Sequence, residues 1–125
     1  MSLSRYRAWE DNTKSMRDVL LIDWLNGMVD LSGGIIERDF KEVHLMQSTG
    51  LLNCETEDGK NVEGWEGDIA DVGWSEQTGD FNSHRIILKS PFDYSTDEAR
   101  WLIHAEYIII RGNIYENPEL LEARK

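Results

Sequence analysis

Hydrophobic positions in this chain come in short runs separated by polar, turn-forming clusters, a pattern that predicts strands in preference to long helices. Tyr6-Arg7-Ala8-Trp9 and Val19-Leu20-Leu21-Ile22-Asp23-Trp24-Leu25 are rich in aromatic and β-branched residues. The turn cluster Asp11-Asn12-Thr13-Lys14 lies between them, so the two runs read as a hairpin. Asn26-Gly27 follows at once and tolerates positive φ at both turn positions, which predicts a third short strand over residues 28–31. Ser32-Gly33-Gly34 then interrupts the pattern. Residues 41–47 alternate Val43, Leu45 and Gln47 on one face, a strand that runs into the loop Ser48-Thr49-Gly50.

Residues 53–64 are polar and turn-forming (Glu55, Glu57, Asp58, Gly59, Lys60, Asn61), which predicts a surface connection inside a single domain, 1–125. It would join an N-terminal β region, 1–53, to a C-terminal part, 64–125. That second part offers strands at 68–74, 84–89 and 103–111, divided by turn-rich segments at 75–82 and 91–96, and short strands at this spacing suggest a small barrel. Ser95-Thr96-Asp97-Glu98 has the capping-box pattern, so one helical turn is expected before the last strand. Residues 101–105 fit helix or strand equally. Asn117-Pro118-Glu119 supplies a cap, a proline at the first helical position and an acid in the first turn, predicting a short terminal helix over 120–124.

Composition narrows the class. At 125 residues, 40% hydrophobic and 30% charged, the chain suits one soluble core and neither a disordered tail nor a membrane protein. It contains no apolar run of bilayer-spanning length, and Met1-Ser2-Leu3-Ser4-Arg5-Tyr6 lacks the apolar stretch of a secretory signal, so a cytoplasmic location is expected. The single Cys54 agrees with a reducing compartment. The net charge of -11, from 24 acidic residues against 13 Lys and Arg, opposes direct binding of nucleic-acid phosphates. It fits a protein kept soluble by repulsion, or one that attracts a basic partner.

Four segments, in order, carry a resemblance. They are Tyr6-Arg7-Ala8-Trp9 with Met16; Met46-Gln47-Ser48-Thr49-Gly50-Leu51 before Asp58-Gly59-Lys60; Trp65-Glu66-Gly67-Asp68-Ile69; and the ten-residue run from Gly112 through Asn113-Ile114-Tyr115-Glu116-Asn117-Pro118-Glu119 to Leu121. Together they resemble the YopX family over nearly the whole chain. The resemblance implies a phage or prophage origin in a bacterial host, a β-rich fold whose second half looks like a small SH3-like barrel, and a tendency to form homo-oligomers. It implies no reaction. The chain differs from the family pattern in having Trp65 where Tyr is usual, a longer lead-in at Asn61-Val62-Glu63-Gly64, and a divergent stretch over 87–104. The expected fold is therefore mainly β: an N-terminal hairpin region packed on a C-terminal SH3-like barrel, with a short C-terminal helix.

The candidate chemistry is sparse. Glu66 and Asp68 flank Gly67 and could hold a cation from one side of an extended chain, but two carboxylates alone leave a metal site incomplete, and a turn accounts for the same residues. Gly112-Asn113 would allow positive φ where the last strand turns. His44, His84 and His104 lack metal-site spacing, and Ser83 beside His84 lacks the context of a nucleophile and its base. Cys54 sits among acids that disfavour a thiolate. Ser32-Gly33-Gly34 has no phosphate-loop lysine, and the acidic run from Glu55 to Gly59 lacks calcium-loop spacing. Five tryptophans, Trp9, Trp24, Trp65, Trp74 and Trp101, suit a core or an oligomer interface, or else an aromatic binding surface, with Trp65 the one expected to face a partner.

The family-motif residues Trp65, Glu66, Gly67, Asp68, Asn113, Tyr115, Glu116 and Asn117 are the expected partner surface. The expected function is non-enzymatic: an accessory protein that binds protein and self-associates, without metal, cofactor, membrane or direct nucleic-acid partner. One alternative is an acidic nucleic-acid mimic that occupies a basic host protein. Another is a metal-assisted enzyme using Glu66 and Asp68.

Overall fold

A computed structural model describes residues 6–34, 36–76, 78–89 and 93–122. The expectations for residues 1–5, for 77 and 91–92 in the turn-rich segments and for 123–124 of the terminal helix lie outside the described residues. The chain divides into two compact units, residues 1–48 and 49–125, each built on a five-stranded sheet. The fold is mainly β, as the spacing of apolar runs predicts.

The first unit contains β1 (Tyr6–Glu10), β2 (Ser15–Asp23), β3 (Met28–Leu31), β4 (Ile36–Asp39), a 3-10 turn at Phe40–Glu42 and β5 (Val43–Gln47). Their order in the sheet is β4-β3-β2-β1-β5, and every pairing is antiparallel. The predicted hairpin is β1–β2, with Trp9 opposite Met16, and the predicted third strand is β3. The β2–β3 loop is longer than two residues: it spans Trp24 to Gly27, and only Gly27 has positive φ, at 69°. Ala8, Val19, Val29, Leu31 and Val43 form the core, with Tyr6, Ile22, Ile36, Phe40 and Leu45 packed around it.

A bulge between Val19 and Leu21 bends β2, and beyond it Leu20, Leu21, Trp24 and Leu25 are exposed at 66%, 60%, 63% and 92%. Trp24 meets the rings of Tyr6 and Phe40 edge-on, at 6.2 and 5.7 Å. At the other end of β1 the Glu10 carboxylate is fully buried. It accepts bonds from Thr13 Oγ1 (2.6 Å) and the Asn12 amide (2.8 Å), with Arg38 Nε 3.2 Å away. The Thr13 bond, followed by Arg38 and Asn12, holds its pKa below the usual carboxylate range against the opposing effect of burial.

The second unit contains β6 (Cys54–Glu55), β7 (Asn61–Val62), β8 (Asp68–Ser75), β9 (Phe81–Ile87), α1 (Thr96–His104), β10 (Tyr107–Asn113) and α2 (Glu119–Glu122). The order is β7-β6-β10-β8-β9, with β6 parallel to β10 and the other pairs antiparallel. This corrects the SH3-like barrel. The sheet is open: β7 and β9 are its two edges, separated by three strands, and β7 is only two residues long.

In place of closure, α1 covers one face of the sheet. Trp101, Leu102 and Ala105 pack with Tyr94 onto Ala70, Val72, Ile86, Leu88, Ile108 and Cys54. The helix is longer than one turn and resolves residues 101–104 as helical. Both halves of its capping box form, with the Glu98 amide bonding Ser95 Oγ at 3.1 Å and the Ser95 amide bonding Glu98 Oε1 at 3.0 Å. The polar stretch 53–64 folds into the small β6–β7 hairpin of this unit.

Candidate functional site

Two of the motif segments meet at one corner of the second unit. Trp65 to Asp68 make a tight turn in which the Asp68 amide bonds the Trp65 carbonyl at 3.0 Å and Asp68 Oδ2 accepts the Trp65 amide at 2.8 Å. Gly67 has φ of 87°, a conformation that favours glycine. Asp68 stands opposite Asn113 in the β8–β10 ladder, and the Ile114 amide bonds the Gly67 carbonyl at 2.9 Å. Asn113 then organises the exit from β10. Its Oδ1 accepts the amides of Tyr115 (3.0 Å) and Glu116 (2.9 Å), and its Nδ2 donates to Glu116 Oε1 at 2.8 Å. The Asn113 amide in turn donates to Asn117 Oδ1 at 3.2 Å.

Asp68 and Asn113 are buried, and Trp65, Glu66, Tyr115 and Asn117 half-buried. The structure therefore brings the predicted residues together, and it uses Asp68, Asn113 and Asn117 to hold backbone. Gly112 departs from its expected role: its φ is not positive, and what it supplies is room, because a Cβ there would overlap the Asn117 side chain. Among the described residues no three His, Cys, Asp or Glu side chains gather as metal ligands.

Behind this corner, on the sheet face away from α1, lies a charged cluster. Asp71 accepts Arg85 through both oxygens, from Nε at 2.8 Å and Nη2 at 3.0 Å, and also accepts Arg111 Nε at 2.9 Å. Arg111 continues to Glu57 at 3.0 Å, and Arg85 Nη1 reaches the Leu120 carbonyl at 3.1 Å. The Arg85 bonds, then Arg111, hold the Asp71 carboxyl below its usual range despite burial. The charges are spent on one another, so the cluster fixes β8, β9, β10 and the start of α2.

An aromatic cluster lies at the opposite end of the sheet. Here His84 on β9 stacks with two tryptophans: its ring is 3.9 Å from that of Trp101 with planes 2° apart, and 5.5 Å from that of Trp74 at 27°. Beside the stack runs an open groove of about 500 Å³ lined by Trp74, Glu76, Arg100, Trp101, His104 and Glu106, with Ser75. Its two carboxylates are anchored. Glu76 Oε1 accepts Trp74 Nε1 at 2.9 Å and Asn82 Nδ2 at 2.8 Å, and Glu106 Oε1 accepts the Ser75 amide. On another face of α1, Leu51, Tyr94, Ala99, Leu102 and Ile103 border a smaller apolar pocket of about 210 Å³.

The sequence profile of the YopX protein family matches residues 5–122. The chain belongs to the YopX family. Comparison with curated proteins and with solved structures finds no match. In this YopX-family protein two of the four segments that carry the resemblance build the turn corner, whereas the groove residues Arg100, Trp101 and His104 lie on α1, outside those four segments.

Sequence reasoning missed the groove. Trp74, His84 and Trp101 are far apart along the chain, and only the β8–β9 register, with Val72 opposite His84, and the seating of α1 bring their rings together. The available signal was the alternation that puts Val72 and Trp74 on one face of β8. Cys54 is buried with its thiol pushed up to about 11, by burial first and by the charge of Asp68 second. Burial, not the acidic sequence neighbours, is thus the main cause that disfavours the thiolate. No helix among the described residues is long and apolar enough to cross a membrane.

Proposed function

We propose that this YopX-family protein is a phage or prophage accessory factor of the bacterial cytoplasm that acts by binding a basic protein partner, with no chemistry of its own. The observation that carries the reading is the groove of Trp74 and Trp101 edged by Glu76 and Glu106. It belongs to a unit in which sixteen acidic residues face seven Lys and Arg, so charge attraction and an aromatic contact surface coincide. The same acidity leaves room for nucleic-acid mimicry as the way a basic partner is occupied. A pull-down from nuclease-treated bacterial lysate, with wild-type protein beside a Glu76→Gln, Glu106→Gln double variant, tests this. A basic protein should be retained at low salt, released at high salt and depleted in the variant. Retention that vanishes with nuclease treatment would refute it.

Self-association is a second reading, supported by the ridge of Leu20, Leu21, Trp24 and Leu25. The first unit is close to neutral, with eight acidic residues against six Lys and Arg, so copies meeting there escape most of the repulsion of the second unit. Leu25→Ser should lower the mass found by sedimentation equilibrium, and an unchanged mass would remove this reading.

A further inference from the structure

We infer that the groove beside α1 reads arginine side chains of the partner in preference to lysine, an inference that rests on the proposed binding of a basic protein and specifies what is recognised. Three features point to a guanidinium. The first is shape: two indoles, Trp74 and Trp101, border the same groove, and the aromatic surface left beyond their stacking on His84 suits a planar, weakly hydrated cation better than a compact ammonium. The second is pre-organisation. A carboxylate offers about four acceptor positions. Those of Glu76 and Glu106 are already steered by Trp74 Nε1, Asn82 Nδ2 and the Ser75 amide, with acceptor capacity remaining for a ligand.

The third is the charge balance of the lining. Two glutamates stand against one arginine, Arg100, which is exposed and lies 3.9 Å from Asp97 on its own helix. Arg100 is a cation of the groove lining whose charge competes with that of an incoming guanidinium in the field of the two acids. His84 stacks on Trp101 and does not itself line the groove.

The test uses the full chain and two capped peptides of equal length and charge, one alternating arginine with glycine and the other lysine with glycine. Binding is followed by NMR of the five indole N–H signals. The arginine peptide should shift the Trp74 and Trp101 signals and bind about five-fold more tightly than the lysine peptide. Glu106→Gln, which keeps an acceptor for the Ser75 amide, should weaken the arginine peptide about three-fold. Arg100→Gln should strengthen it about two-fold by removing the competing cation. Trp74→Phe serves as the check on folding, since it keeps a ring in the stack. Equal affinity for the two peptides, or shifts confined to other indoles, overturns the inference. If neither peptide binds while a basic protein is still retained at low salt, arginine recognition fails and the proposed function survives. If no basic protein is retained either, both fall.

Discussion

Replacing Asp71 by Asn isolates the charge at the centre of the buried cluster in the second unit. The carboxylate serves Arg85 in fork geometry and Arg111 from the side, three bonds of 2.8 to 3.0 Å. Asn keeps one acceptor oxygen, so the substitution removes the ionic character of all three bonds and the partner for at least one. Taking one member from a buried ion pair costs about 3–5 kcal/mol. Water recovers part of this, because the side chains of Arg85 and Arg111 are 18% and 30% exposed, and Arg111 retains Glu57. The expected loss is about 2–3 kcal/mol.

Urea denaturation followed by NMR separates the two units: Trp65, Trp74 and Trp101 report on the second, Trp9 and Trp24 on the first. With a slope of about 1 kcal/mol per molar urea for a unit of this size, the second unit's midpoint should fall by about 2–3 M. The first unit should not move. The pH dependence follows from the lowered pKa of Asp71: its contribution is present above the ordinary aspartate value of about 3.9 and is lost as pH falls through and below it. Asp71→Asn should therefore flatten the acid limb of the wild-type stability curve. A loss below about 0.5 kcal/mol, or an unchanged acid limb, would refute the assignment of this cluster as a stabilising centre.

Three other outcomes are expected. Cys54, with its pKa near 11, should be thiolate in only about one molecule in a thousand at pH 8, so alkylation tracked by mass spectrometry should wait for unfolding; fast labelling of folded protein would contradict its burial. Asn113→Ala should cost about 1–3 kcal/mol by orphaning the Tyr115 and Glu116 amides, whereas Asn113→Asp, which keeps the acceptor, should cost less; thermal unfolding distinguishes them. Ser95→Ala should cost about 1 kcal/mol through loss of the cap of α1, with hydrogen exchange rising first in the amides of the helix.

The strands best read from sequence were those whose pattern is local. The β1–β2 hairpin announced itself through two apolar runs and the turn at Asp11 to Lys14, and β3 through Asn26-Gly27. Strand β4 stayed hidden because Ile36-Glu37-Arg38-Asp39 has a single apolar side chain; it exists through its ladder to β3. The barrel expectation failed for a related reason. Strand spacing says how many strands there are and not whether their edges meet, and the apolar face that closure would have buried is covered by α1, foreshadowed only by its capping box. At the turn corner the turn reading of Glu66-Gly67-Asp68 anticipates Asp68 holding a backbone amide, whereas the part of Asn113, which accepts the amides of Tyr115 and Glu116, follows from its place at the end of β10 and has no local signature. The groove was illegible because stacking of His84 depends on long-range register and helix seating.

The stack has one more consequence. With the Trp101 indole stacked 3.9 Å from its ring and that of Trp74 at 5.5 Å, the carbon-bound protons of His84 sit within the ring-current field of its neighbours. Their resonances should stand well upfield of ordinary histidine signals, in an uncrowded part of the spectrum. Any occupant that tilts Trp74 or Trp101 changes the local field at those protons, giving the second unit an intrinsic gauge of groove occupancy that requires no label.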